Sequence, residues 1–508
     1  MTTITPETST PEASTPEAST PEASQAPVAA TGSSRGGEAG KASGGAIGSR
    51  NDNEATKVKQ WAMLDGPVLP TLLKLALPTV VVLVVQTLVG VAETYFVSFL
   101  GTETLAGVTL VFPIFMLMQM MSNGGIGGGV ASSIARAMGA SKVAEAEALA
   151  LNALVLALVF GVIFAGAEWL FGEAIYRSLG GQAGALGAAL EYGHVIFSGA
   201  AFVWIVSLLA AALRGAGNTV APAAVILLGV FVLLPLSPAL IFGWGPFPRL
   251  GVAGAGVAVV VYYLVASIVL IVYLRSARAS LHLPFDARLI KWRLLGDILR
   301  VGGLSAIGTI QANLTVVLVT GAVGLFGTDA IAGYGIASRL DYIQIPLLFA
   351  LGSAALTMVG VNIGAGQVRR AERIAWVAAF FAAGVTEVLG LIVAIFPHAW
   401  LTLFSTNPEV LATGSVYFRT VAPFYGISGL GMLLYFAGQG AGRVMWPVLG
   451  GTVRLLIAAG IGWIVVVDLG GGLQELFTAG AAGSIVSAAI VAGALWLRGW
   501  APTGRTSK

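Results

Sequence analysis

The 508-residue sequence has no cysteine, three histidines and few charges, with Asp, Glu, Lys and Arg making up 10% of the residues. Without cysteine there is no disulfide, no thiol nucleophile and no thiolate metal site. His194, His282 and His398 are scattered and form no local ligand pair, so neither a metal site nor a cofactor is expected. Alternation of period two is missing as well, and open sheet edges cannot face lipid, so strands are not expected. With 56% hydrophobic residues and so few charges, the chain cannot cover a water-facing surface with polar groups. Its solvent is the bilayer. No helix-borne His/Glu pair or nucleophile constellation suggests an enzyme, and no basic patch suggests a nucleic-acid partner.

What is present fits close helix packing in a membrane. There are 68 glycines, about double the ~7% average, and small residues let helix backbones approach. Residues 1–60 differ from the rest. Pentads of Thr-Pro-Glu-(Ala/Thr)-Ser run from Thr5 to Ser24 and give way to Gly, Ser and Ala, the composition of a disordered tail. The tail has no apolar run ahead of a cleavage site, so the first span is expected to do the targeting. From Leu72 onward, twelve apolar segments each reach the ~20 residues needed to cross a bilayer core. They lie near 72–97, 104–135, 145–170, 190–213, 219–242, 251–274, 298–325, 330–362, 372–397, 412–437, 445–468 and 474–497. The expected fold is therefore an all-α integral membrane protein of twelve spans in two pseudo-symmetric six-helix lobes, 61–280 and 298–500. A linker (281–297) joins them and a short tail (501–508) follows. Lys and Arg, among them Lys57, Arg136, Lys142, Arg214, Arg278, Arg293, Arg370 and Arg443, concentrate before the first span and in the even-numbered loops. The odd loops hold little beyond Arg177 and Arg249. This bias places both termini in the cytoplasm, and a bacterial inner membrane is the expected location. Around the linker, Phe285 to Arg300 alternates basic with apolar residues. It reads either as an amphipathic segment at the inner headgroups or as an ordinary loop with a short helix.

The two halves are copies of each other. Gly101-Thr-Glu-Thr-Leu-Ala-Gly107 returns about 226 residues later as Gly327-Thr-Asp-Ala-Ile-Ala-Gly333. In the same register Gly139-Ala-Ser-Lys142 matches Gly364-Ala-Gly-Gln367, and Gly215-Ala-Gly217 with Pro222 matches Gly440-Ala-Gly442 with Pro447. A duplication of spanning segments points to a secondary transporter or flippase whose site lies between or within the halves.

Several stretches in order carry a closer resemblance. They are Gln86-Thr-Leu-Val-Gly-Val-Ala-Glu-Thr-Tyr-Phe-Val97, Leu213-Arg-Gly-Ala-Gly217, Gly251-Val-Ala-Gly-Ala-Gly256, Ala332-Gly-Tyr-Gly-Ile-Ala-Ser-Arg339, Asn362-Ile-Gly-Ala-Gly366 and Asn407-Pro-Glu-Val410. From about Leu72 to Trp500 the chain resembles the multidrug and toxic compound extrusion (MATE) transporters. The resemblance implies two lobes facing across a V-shaped cavity, alternating access, and export of amphipathic, often cationic small molecules in exchange for H⁺ or Na⁺. It implies a monomer with no cofactor beyond the coupling ion. The alternative is a flippase of lipid-linked precursors, although such proteins typically have more spans and a strongly cationic cavity. A channel suits a tandem repeat less well than alternating access does.

An ionisable side chain deep in a span costs about 2.5–3.5 kcal/mol, so each needs a partner or a task. Five stand out: Glu93, Arg339, Asp341, Glu387 and Arg454. Pairing each base with an acid leaves one acid free to exchange an ion, and Glu93, Asp341 and Glu387 are the ion-coupling candidates. Thr79, Gln86 and Glu93 recur every seven residues and form one stripe. Glu93 holds the position where the resemblance implies an aspartate tied to cation coupling; the alternative is a side chain that only reaches the interface. Arg339 and Asp341, two apart, do not face each other, so Arg339 is expected to meet Glu387 or another acid. Asp341 shares a face with Tyr334, Ser338 and Gln344. Where one branch of the family carries acids on its seventh and tenth helices, this chain has Gln311, Asn313, Thr315 and Ser428. Gln86, Gln311, Asn313, Thr315, Tyr334, Arg339 and Tyr342 are the candidates for lining or supporting a substrate cavity. Trp204, Tyr334 and Tyr342 can stack on flat cations or simply pack. Asn123-Gly-Gly-Ile-Gly-Gly-Gly129 resembles a phosphate loop but lacks the preceding strand and the Gly-Lys, so it reads as helix packing.

Overall fold

The computed structural model describes residues 63–500; the repeat tail (1–60) and the C-terminal tail (501–508) lie outside the described residues. Among the described residues, eleven continuous helices are long and apolar enough to span a membrane, and one bent pair completes twelve. In chain order they are α1 (Val68–Ser98), α2 (Thr102–Gly139), α3 (Val143–Ser178), α4 (Ala183–Ser198 with Ala200–Gly215), α5 (Val220–Phe242) and α6 (Gly251–Arg275). The second lobe has α7 (Trp292–Gly324), α8 (Thr328–Gly364), α9 (Val368–Ile395), α10 (Pro408–Gly440), α11 (Met445–Val467) and α12 (Leu473–Leu497). No strand occurs among the described residues.

The repeated landmarks are backbone instructions. Gly101 and Gly327, which precede α2 and α8, have φ of 101° and 104°. A Cβ is strained there, so both copies keep glycine. Breaks in the helices also have local causes. Pro423 lacks an N–H, and α10 passes through a 3₁₀ turn at Ala422–Phe424. α4 bends by 48° at Gly199. The glycine-rich stretch of α2 is a π-turn, Met121–Gly125, running into helix, not a phosphate loop. The segment after α6 is mostly irregular, with one 3₁₀ turn at Ala287–Leu289. Leu281 and Leu283 are buried in the N-lobe core, and Asn152 of α3 pins the segment by donating to the Leu289 carbonyl (2.9 Å) and accepting from the Lys291 N–H (3.2 Å).

The lobes meet at the end that carries Lys142, Arg370 and Arg443. Leu72 and Ala76 of α1 share a buried cluster with Leu348, Leu351 and Met358 of α8. Polar links cross the same seam. Gln439 Nε2 of α10 donates to the Gly124 carbonyl of α2 (3.0 Å), Thr357 Oγ1 of α8 to the Arg214 carbonyl of α4 (3.0 Å), and Arg136 of α2 faces Asp297 of α7 at 3.3 Å. At Gly129 the backbones of α2 and α7 touch, and an added Cβ would lie 2.7 Å from the Gly302 nitrogen. Small residues here replace side-chain interdigitation with backbone contact, as membrane helices commonly do.

Candidate functional site

In the N-terminal lobe, α1 turns its polar stripe toward α5 and α6. Thr79 is buried, Gln86 engages the Tyr262 hydroxyl of α6, and Ser237 Oγ of α5 donates to Glu93 Oε2 at 2.8 Å. Ser237 lies between Pro235 and Pro238, whose missing N–H groups leave the helix irregular there. Glu93 Oε1 is buried and has no hydrogen-bond partner. The carboxylate is thus turned toward Ser237 inside the lobe. Around it runs a polar chain: Tyr262 and Tyr263 rings 4.8 Å apart, Gln119 Nε2 donating to Tyr263 at 2.6 Å, and Asn123 donating to Gln119 at 3.3 Å.

The C-terminal lobe holds a second carboxylate with the same incomplete bonding. The Tyr417 hydroxyl of α10 donates to Asp341 Oδ2, while Oδ1 is buried without a partner. Tyr425, just past the break in α10, brings a second buried hydroxyl to the same carboxylate. Tyr334 stacks on Phe477 (5.8 Å, 18°) and meets the Tyr417 ring at 5.4 Å, closing an aromatic wall around the acid. Asp341 thus faces α10 within its own lobe.

The remaining candidates separate. Glu387 Oε2 accepts the Gly426 N–H at 2.7 Å, capping the helical segment that restarts after the Pro423 break. The expected pairing of Arg339 with Glu387 does not occur. Arg339 is exposed and lies 5.8 Å from the Phe404 ring centroid, and Arg454 is exposed too. Neither is in an ion pair among the described residues, and Glu387 is left to the backbone. Gln311 donates to Thr452 at 2.8 Å, Thr315 is buried and donates to the Gln311 carbonyl, and Asn313 donates to the Thr309 carbonyl at 2.9 Å. Tyr342 is 54% exposed, whereas Trp204 is fully buried and stacked on Phe160 at 4.8 Å, so it packs. Sequence reasoning did not find Ser237, Tyr417, Tyr425 or Glu168. The first carries a local signal, a hydroxyl between two prolines; Tyr417 and Tyr425 reach their acid only through tertiary packing. Glu168 sits two residues from the end of an apolar segment, where water is the ordinary partner, but α3 runs on to Ser178 and buries it.

Two duplicated lobes of spanning helices, each holding a buried carboxylate with one unpaired oxygen, define a membrane transporter rather than an enzyme. The profile of the MatE family matches residues 78–239 and 305–464, and the chain belongs to that family, the multidrug and toxic compound extrusion transporters. It is 28% identical over 380 residues to the FAD transporter of Shewanella oneidensis, covering 74% of this chain and 82% of that protein. It is 28% identical over 383 residues to the probable multidrug resistance protein NorM of Thermotoga maritima, covering 74% and 81%. Among solved structures, it is similar to a MOP superfamily transporter from Pyrococcus furiosus described as having a binding pocket of reverse polarity (TM-score 0.77, 25% identity, 86% of this chain and 96% of that one). It is also similar to a multidrug resistance MATE family transporter in an outward-facing conformation (TM-score 0.74, 25% identity, 84% and 94%).

Proposed function

We propose that this protein is a secondary antiporter that exports amphipathic, often cationic small molecules in exchange for H⁺ or Na⁺ across a bacterial inner membrane. The observation that carries this reading is the pair of half-satisfied carboxylates, Glu93 and Asp341. A buried carboxylate oxygen without a partner is costly, and a proton or small cation relieves that cost. Glu387 is the third coupling candidate, held in reserve by its backbone contact. Gln86, Asn313, Arg339 and Tyr342 meet the substrate in this reading, with Gln311, Thr315 and Tyr334 supporting them. The lobes comprise residues 61–280 and 298–500 around the 281–297 linker, both termini are cytoplasmic, and the protein works as a monomer. The basic loops then lie inside, and the end at which the lobes pack is the cytoplasmic one. A second reading, an organic anion as cargo, is favoured by the exposed and unpaired Arg339 and by the relative named as an FAD transporter.

Proteoliposomes with separately imposed Na⁺ and pH gradients test this. A cationic dye moves against its gradient with one of the two ions and stops when that gradient is collapsed; dye movement indifferent to both overturns the antiport reading. Gradient-driven movement of FAD in place of the dye selects the second reading. Ser237→Ala refines the ion site. The hydroxyl stabilises the empty carboxylate by about 1.5–3 kcal/mol, so its removal lowers the half-saturating ion concentration by about tenfold or more. An unchanged half-saturation would separate Ser237 from coupling.

A further inference from the structure

Away from both carboxylates, α3 buries a third acid that the account above does not use. The Glu168 side chain is 3% exposed. Its Oε1 accepts from the fully buried Tyr176 hydroxyl at 3.2 Å, and its Oε2 has no hydrogen-bond partner. The nearest basic group is His194 Nε2 of α4, 4.0 Å from Oε2, on a ring that is 33% exposed. The imidazole is held in place by the Trp169 ring stacked on it (4.2 Å, 7°). Trp169 Nε1 also donates to Ser198 Oγ (3.2 Å), which donates back to the His194 carbonyl (2.6 Å). Two glycines make the room: a Cβ on Gly172 would lie 2.9 Å from Glu168 Oε1, and one on Gly193 2.6 Å from it.

We infer that Glu168 and His194 form a proton-binding site of their own, filled from the side of the odd-numbered loops and tying α3 to the first half of α4. The geometry carries this. The buried carboxylate has an oxygen aimed at an imidazole that water can reach, and the gap is one a proton closes by turning the contact into an ion-paired hydrogen bond. Glu168 lies about 15 Å along α3 from the helix end at Ser178, within the spanning region, where an unpaired acid needs a task. His194 and Tyr176 are the titratable groups that face it. Among the other charges, Glu173 pairs with Arg177 on α3 itself, and from α7 Asp297 pairs with Arg136 and Arg293 with Glu145; on α4, Glu191 is exposed and Tyr192 lies beside Glu93 and Tyr263. Glu103 of α2 lies against Gly184 at the start of α4, and Arg214 sits at the far end of α4. The joint at Gly199 follows Ser198 directly, so the site grips α4 just before its bend.

The test is the melting temperature of the full-length protein in detergent, followed from about pH 8 to about pH 5, the range in which a histidine changes charge. Wild type, His194→Gln, Glu168→Gln and the double variant are compared. If the folded protein takes up a proton at the pair, stability rises as pH falls, so wild type gains on Glu168→Gln, which has no carboxylate to share that proton, by about 1–2 °C across the range. In the Glu168→Gln background, adding His194→Gln leaves no pH-dependent difference. A separation between wild type and Glu168→Gln that stays constant or shrinks as pH falls overturns the site. Should the Glu168 variants fail to fold, wild type and His194→Gln still decide: their melting temperatures must depend differently on pH, and identical dependence overturns the site. His282 and His398 are common to every protein compared and cancel. Because this readout requires no transport, its failure is distinct from a failure of the antiport reading.

Discussion

Glu93→Gln is expected to leave the protein folded and inserted while cutting gradient-driven export by about 5- to 150-fold, the loss that follows when a coupling free energy of ~1–3 kcal/mol is removed. Glutamine has the size of glutamate and can still accept from Ser237, so the hydrogen bond at 2.8 Å survives. What disappears is the capacity to be charged when empty and neutral when filled. The other oxygen of Glu93 has no partner in the structure, and a neutral amide at that place has nothing to exchange. Substrate binding measured without a gradient should change much less than export does. Asp341→Asn is the parallel test in the second lobe, where Tyr417 takes the place of Ser237. If each lobe holds one coupling ion, each variant alone abolishes driven export; if one lobe suffices, only one does. Full export in both variants would remove these carboxylates from energy conversion.

The second large effect is expected at the lobe seam. A side chain at Gly129 would meet the backbone of Gly302 and Ile298, which cannot swing aside as a side-chain tip can. Gly129→Val should therefore cost the packed arrangement of that end at least about 1–3 kcal/mol. That converts to a shift of about 5- to 150-fold toward the separated state. The absence of cysteine makes this measurable without background. A cysteine at Thr357, which is buried at the seam, should stay protected from a membrane-impermeant thiol reagent in the parent protein and react once Gly129→Val is added. Equal protection in both would show that α2 and α7 close by another route.

How far the sequence alone reaches depends on the range over which each feature is specified. Spans were legible because twenty apolar residues are a local property, and their positions follow the expected segments within a few residues at most ends. α3, α4 and α7 extend further: Glu168 was overlooked because α3 continues eight residues past its expected end, α4 begins at Ala183 where 190 was expected, and α7 begins at Trp292 where 298 was expected. The duplication was legible because paired positions share a backbone need, as Gly101 and Gly327 do with the same positive φ. The candidate acids were legible because ionisable residues are rare in apolar runs. Their partners were not. Ser237 lies 144 residues from Glu93, and Tyr417 lies 76 from Asp341, so only packing brings them together. The bases misled for the same reason: Arg339 is expected to meet Glu387 or another acid, whereas its guanidinium lies 5.8 Å from the Phe404 ring centroid and Glu387 takes a backbone N–H.

The most direct measurement is ion release by the purified protein when substrate binds, read with a pH indicator in weak buffer and, in parallel, with radiolabelled Na⁺. Wild type should release one of the two ions on adding a substrate that it exports, and the variant carrying both Glu93→Gln and Asp341→Asn should bind the substrate and release neither. Release of the same amount of ion by wild type and by that variant would contradict the account, because the exchanging ion would then reside on neither carboxylate.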